Sequence, residues 1–166
     1  MIAATFALLA AYQLKHFLCD FPLQRPWMLR KFSADPDEWV PALAAHAGVH
    51  ALGTLAIAGA FLLLARPASM LPSSAAALAA FDFVIHFTMD RIKASPGMMG
   101  RWKNLSATDF ESISTIEKTF GSDPKFAPWK AKKLCGNTLF WWSLGFDQCV
   151  HHLTHYAIIA FLLLSL

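Results

Sequence analysis

The sequence predicts an all-α membrane protein, a bundle of four transmembrane helices with a cytoplasmic helical segment between the third and the fourth. Hydrophobic residues make up 56% of the 166 residues, and the mean hydropathy of +0.43 is high for a soluble domain. The apolar residues are concentrated in four stretches, at about 2–23, 42–65, 69–93 and 136–166. Each stretch is long enough to cross a hydrocarbon core about 30 Å thick. We therefore predict a single membrane domain over residues 1–166.

The first stretch resembles a secretory signal in its position and its hydropathy. It has no basic start and no small-residue cleavage site, and it contains Lys15, His16 and Asp20. We therefore predict that it is a helix of the mature protein.

The second and third helices are bounded by prolines. Pro41 ends a polar connection and is well placed in the first turn of the second helix, where its missing N–H costs nothing. Arg66 and Pro67 predict a short turn before the third helix.

The connection from 94 to 135 is the only part that reads as soluble. Ser106 followed by Asp109 resembles the start of a helix. Apolar residues then recur at helical spacing: Phe110, Ile113, Ile116 and Phe120. We predict a small amphipathic helix packed on the bundle, and the alternative is an interfacial helix resting on anionic lipid.

Basic residues alternate between the predicted loops. Arg25, Arg30 and Lys31 follow the first helix, whereas nine basic residues lie between 91 and 133. Cytoplasmic loops retain Lys and Arg. We therefore predict that loops 24–41 and 94–135 are cytoplasmic and that both termini lie outside a bacterial inner membrane.

Polar residues spaced four apart recur in every predicted helix. They are His16 and Asp20, His46 and His50, His86 and Asp90, and the series Asp147, His151 and His155. Residues four apart lie on one face of a helix, one turn from each other. In an antiparallel bundle the four sets would meet at one depth, and Asp82 extends the third set by a further turn. We predict these nine residues as metal ligands.

The residue types indicate the metal. An aspartate in the middle of a membrane helix costs roughly 2.5–3.5 kcal/mol unless it is paired or binds a cation. Imidazole and carboxylate ligands favour zinc, with iron or manganese as alternatives. Nine ligands exceed the needs of one tetrahedral ion, so one or two ions are expected, with some residues orienting the ligands. One alternative is a metal-free network of His and Asp hydrogen bonds. The other is haem ligation, and the carboxylates disfavour haem.

Four motifs contain eight of these nine residues, all but His155: His16-Phe-Leu-Cys-Asp20-Phe-Pro-Leu-Gln24, the pair His46 and His50, His86-Phe-Thr-Met-Asp90-Arg-Ile-Lys93, and Asp147-Gln148-Cys-Val-His151. Together they resemble the motifs of the small bacterial and phage membrane proteins catalogued as domain of unknown function 3307. The resemblance runs from residue 16 to residue 151. It implies a four-helix membrane fold and singles out Gln24, Lys93 and Gln148, but it implies no activity.

We predict a metal-dependent hydrolase acting on a lipid or isoprenoid phosphate at the cytoplasmic leaflet. Asp20 or Asp90 would take a proton from water, and Lys93 or Arg91 would hold the phosphate. The alternatives are a membrane di-iron redox enzyme, a metal transporter or sensor, and a structural or partner-binding protein in phage–host conflict. The expected partners are membrane lipids, with a homo-oligomer left open and no nucleic acid expected.

Overall fold

The computed structural model describes residues 1–65, 73–102 and 138–166, and these residues form helices and short connections without strands. The long helices are α1 (Ile2–Asp20), α2 (Pro36–Ala65), α3 (Ser73–Ala94) and α4 (Thr138–Leu164). Two 3-10 helices, Pro26–Phe32 and Met99–Trp102, follow α1 and α3. The prediction of an all-α fold is confirmed.

Helix α2 begins earlier than the sequence predicted. An Asp35 carboxylate oxygen accepts a hydrogen bond from the Asp37 N–H at 3.0 Å and caps the helix, and Pro36 occupies its first position. Pro41 lies inside the helix rather than opening it. The prediction that 24–41 is a loop was therefore wrong for its last residues, and most of the rest forms the 3-10 helix Pro26–Phe32.

Some predicted features fall outside the described residues. They are the turn at Arg66 and Pro67, the start of the third predicted span, the amphipathic helix around Phe110–Phe120 and the first residues of the fourth span.

The long helices pack in a ring. Helix α2 contacts α1 and α3, and α4 contacts α3 and α1. One end of the bundle holds a buried apolar cluster: Leu8, Tyr12, Ala58, Ala75, Ile158, Ile159 and Leu162. The polar residues lie beyond this cluster, toward the end of the bundle from which the 3-10 helix Pro26–Phe32 extends.

Two of the described helices, α1 and α2, are long and apolar enough to cross a membrane, whereas four spans were predicted. Most of the apolar side chains of these two helices are exposed or partly exposed; Leu52 and Leu64, for example, are 66% and 86% exposed. Helices α3 and α4 carry more polar residues, which lower their hydropathy.

Candidate metal site

The polar residues of the bundle form three successive layers, each with one residue from every long helix. The inner layer consists of Lys15, Thr54, Asp82 and His155 and adjoins the apolar cluster. The histidine layer consists of His16, His50, His86 and His151. The outer layer consists of Asp20, His46, Asp90 and Asp147. Residue numbers increase outward in α1 and α3 and decrease outward in α2 and α4, because neighbouring helices are antiparallel.

The inner layer is centred on a fully buried carboxylate. Asp82 Oδ2 accepts hydrogen bonds from the Lys15 ammonium at 2.6 Å and from the Thr54 hydroxyl at 2.7 Å. The same ammonium donates to His155 Nε2 at 3.1 Å. This layer is therefore tied together across all four helices.

The histidine layer is a ring of imidazoles. The His86 ring stacks on the rings of His50 and His151, with centroids 3.9 and 4.0 Å away. His16 closes the ring, 5.6 Å from His50 and 5.7 Å from His151. His86 Nδ1 lies 3.1 Å from the backbone oxygen of Asp82, the bond that fixes the ring orientation of many metal-binding histidines.

Two lysines enter the outer layer. Lys31, on the 3-10 helix Pro26–Phe32, donates to Asp90 Oδ2 at 2.8 Å. Lys93 donates to Asp147 Oδ2 at 2.5 Å and lies 3.8 Å from Asp90 Oδ1. Each of these two carboxylates therefore has its own ammonium.

Asp20 differs from the other three carboxylates, because its partners in the described part of the chain are imidazoles rather than lysines. Its Oδ1 lies 3.0 Å from His50 Nε2 and 3.5 Å from His46 Nε2. Its Oδ2 lies 3.1 Å from His16 Nε2. The Asp20 side chain is 21% exposed, so it is also the most accessible of the four. Four carboxylates and three ammonium groups leave one formal negative charge in the cluster when the imidazoles are neutral.

The donors fit a divalent ion. Asp20, His46 and His50 each offer one ligand atom, and these atoms lie within 4.8 Å of one another. Within the described residues, one ring nitrogen in each of six histidines is buried without a hydrogen-bond partner: Nδ1 of His16, His46, His50, His151 and His155, and Nε2 of His86. Buried polar atoms are rarely left unpaired, so hydrogen bonds alone do not complete this network. Several of the His and Asp groups could hold a metal ion, which agrees with the prediction that this cluster binds metal.

The structure brings all nine predicted ligands into this cluster, but it gives them different surroundings. His155 Nε2 is used by Lys15, and Asp90 and Asp147 are paired with lysines. Neither basic group predicted to hold a phosphate is free: Lys93 binds Asp147, and Arg91 stacks on Trp39 at 3.8 Å while donating to the Ser33 backbone oxygen.

Sequence reasoning identified Asp82 but missed the lysines that neutralise the cluster, Lys15 and Lys31. Lys15 could have been found, since it stands in an apolar stretch one residue before His16. Lys31 could not, because it lies in a connection and reaches Asp90 only through the fold. Gln148 is also part of the site: its side-chain oxygen lies 2.9 Å from His16 Nε2 and its amide donates to Asp147 at 3.1 Å.

Comparison with protein-family models, curated proteins and solved structures gives no match to this chain. The resemblance to domain of unknown function 3307 therefore stays a prediction.

Proposed function

We propose that this chain is an integral membrane protein that binds one divalent metal ion through Asp20, His46 and His50. One observation carries the proposal: Asp20 is the carboxylate of the cluster without a lysine partner among the described residues, and three imidazole Nε2 atoms face its oxygens. The donor set favours zinc, with iron or manganese as alternatives. His16 is close enough to serve as a fourth ligand.

We propose that all four long helices cross the membrane. Several of the polar residues that lower the hydropathy of α3 and α4 are buried inside the bundle; Asp82, His86, Asp147 and His155 are at most 1% exposed. The outer faces of these helices carry large apolar side chains, such as Val84 on α3 and Phe161 on α4. Lipid would meet an apolar surface, as it does in membrane bundles with buried polar residues. The basic loops would lie in the cytoplasm of a bacterial cell.

The lysines argue for one ion rather than two. A second ion at Asp90, Asp147 and His151 would lie next to the ammonium groups of Lys31 and Lys93, which already neutralise both carboxylates. This also disfavours a di-iron centre, which uses several carboxylates as bridging and terminal ligands.

The layers argue for chemistry at one face rather than for transport. Beyond the inner layer the bundle closes on its apolar cluster, in which Leu162 and Ile158 are at most 1% exposed. An ion that reached Asp20 would find no polar path onward through the described residues of one chain.

We propose that the reaction is hydrolysis of a lipid or isoprenoid phosphate at the cytoplasmic leaflet. A bound divalent ion would supply a Lewis acid that polarises a phosphoryl oxygen and activates water. Asp20 Oδ1 faces the ligand histidines, whereas Oδ2 faces His16 and can accept a proton. Arg25 and Arg30 are exposed in the segment that follows α1, where they can attract an anionic headgroup.

Metal content tests the site. We expect the protein, purified in detergent without chelator, to contain one equivalent of zinc, iron or manganese by elemental analysis. Asp20→Asn and His50→Ala should lose it while the helix content by circular dichroism is kept. His152→Ala is the matched control, because His152 contacts the His16 ring from outside the ligand set. A wild-type protein without metal would contradict the proposal.

Release of inorganic phosphate tests the reaction. Metal-loaded protein in vesicles that contain phosphatidic acid or a polyprenyl phosphate should release phosphate, and Asp20→Asn should not. If metal-loaded protein hydrolyses neither lipid, the hydrolase proposal fails while the metal site stands.

A further inference from the structure

A second set of metal-ligand groups, beyond the set that includes Asp20, is shared by the inner layer and the adjoining histidine layer. Asp82, His86 and His155 each offer one ligand atom, and these atoms lie within 4.8 Å of one another. All three residues are at most 1% exposed. A carboxylate with two imidazoles is a sufficient protein ligand set for zinc.

A cation already occupies this position. The Lys15 ammonium lies 2.6 Å from Asp82 Oδ2 and 3.1 Å from His155 Nε2, so it uses the lone pairs that a metal ion would use. Its positive charge would also repel a divalent ion at this distance. The Thr54 hydroxyl adds a further hydrogen bond to the same carboxylate oxygen.

The fold holds the Lys15 side chain in place along its length. Gly53 on α2 lies directly against it, and a Cβ at position 53 would come within 2.8 Å of Lys15 Cγ. The aliphatic part of Lys15 therefore fills space that another residue at position 53 would occupy, and the ammonium is directed toward Asp82. Lys15 is 5% exposed as a whole residue.

We propose that Lys15 is a built-in cation that fills an inner metal site made by Asp82, His86 and His155, and so limits the chain to one metal ion. This deepens the proposed function, since it rests on the single ion at Asp20, His46 and His50. A covalently attached ammonium holds the inner layer together whether or not metal is present. Exchangeable metal is thereby confined to the accessible outer end of the bundle.

Zinc titration of detergent-solubilised protein tests the proposal. The wild type should bind one equivalent, and Lys15→Met, which keeps the length of the side chain and removes the charge, should bind two. The double variant Lys15→Met/Asp82→Asn should return to one equivalent, because it removes the anion that the new ion needs. One equivalent in both the wild type and Lys15→Met would overturn the Lys15 proposal and leave the proposed function intact. No zinc in the wild type and one equivalent in Lys15→Met would overturn the proposed function and leave the inner site that Lys15 fills intact.

Lys15→Met leaves Asp82 buried without its counter-ion, which destabilises the fold. If the variant folds poorly, thermal unfolding with and without zinc tests the proposal. Zinc should then restore the helical signal and raise the melting temperature of Lys15→Met by more than it does for the wild type. The double variant should be stable without zinc. A Lys15→Met protein that stays unfolded with excess zinc, beside a folded double variant, would overturn the proposal.

Discussion

Asp20 Oδ1 lies 3.0 Å from His50 Nε2, a contact that joins α1 and α2 at the accessible end of the polar cluster. The other three carboxylates of the cluster are each bound to a lysine ammonium. The difference separates a carboxylate that can take a metal ion from carboxylates that stabilise the bundle.

Asp20 and Asp90 should respond differently to the same substitution. Asp20→Asn should lose the metal and keep most of the stability, because its partners are imidazoles that can become neutral. Asp90→Asn should keep the metal and lower the melting temperature, because it leaves the buried Lys31 ammonium without an anion. Elemental analysis and thermal unfolding in detergent measure the two effects. Metal loss in Asp90→Asn with unchanged stability would reverse the assignment.

Lys31→Met should destabilise the protein by about 3 kcal/mol, the lower end for breaking a buried ion pair, because the Lys93 ammonium still lies 3.8 Å from Asp90 Oδ1. The double variant Lys31→Met/Asp90→Asn should recover most of the loss. Arg30→Met is the matched control: Arg30 neighbours Lys31 on the same 3-10 helix but is exposed. Equal losses for Lys31→Met and Arg30→Met in chemical denaturation would show that the ion pair contributes nothing.

Gln148→Leu should strengthen metal binding by up to about tenfold, because it removes a hydrogen bond that a metal ion would have to replace. The Gln148 side-chain oxygen lies 2.9 Å from His16 Nε2, the nitrogen that faces Asp20 and that could act as a fourth ligand. Competition with a zinc chelator gives the dissociation constant. Gln13→Leu serves as the control, since Gln13 contacts His152 at 3.4 Å outside the ligand set. Equal affinity in the two variants would show that Gln148 does not compete with the metal ion for His16.

Gly53→Ala should cost about 1–3 kcal/mol, because the new methyl group overlaps the Lys15 side chain. Gly48→Ala on the same helix meets nothing within 4 Å and should be neutral or stabilising by up to about 1 kcal/mol. Thermal unfolding of the two variants makes the comparison. A Gly53→Ala protein as stable as Gly48→Ala would show that Lys15 has room to move.

Reporter fusions should place both termini outside and the segment from 24 to 41 in the cytoplasm. A cytoplasmic signal from a tag after Leu166 would invert the bundle and move the Asp20 end of the cluster to the opposite face of the membrane.

The helical fold and the composition of the cluster could be predicted from sequence, because a spacing of four places side chains on one face of a helix whatever the rest of the chain does. His50 and His86 are examples: both face the bundle interior, as their spacing indicates. The pairing could not be predicted. Lys93 was expected to bind a phosphate, but it binds Asp147 on another helix, and this depends on the packing of α3 against α4.

Helix boundaries were harder to predict than faces. Pro41 was expected to open α2, but Asp35 and Pro36 supply a cap and a first turn that begin the helix earlier. Pro41 is the sixth residue of that helix, past the four N–H groups that have no intrahelical partner, so it removes the hydrogen bond that an N–H at position 41 would donate to the Asp37 carbonyl. Both signals are present in the sequence, and the earlier one prevails.

Lys31 is synthesised before the residue that it binds in the folded chain. Synthesis proceeds from the N-terminus, so Lys31 emerges long before its partner Asp90 on α3. In the proposed topology its charge is free at that stage and would help to retain the first loop in the cytoplasm. When α3 follows α1 and α2 into the membrane, as proposed, the same charge would be withdrawn into the bundle, and Arg25 and Arg30 would remain to hold the loop on that side. Lys31 would thus guide insertion first and secure the assembled helices afterwards.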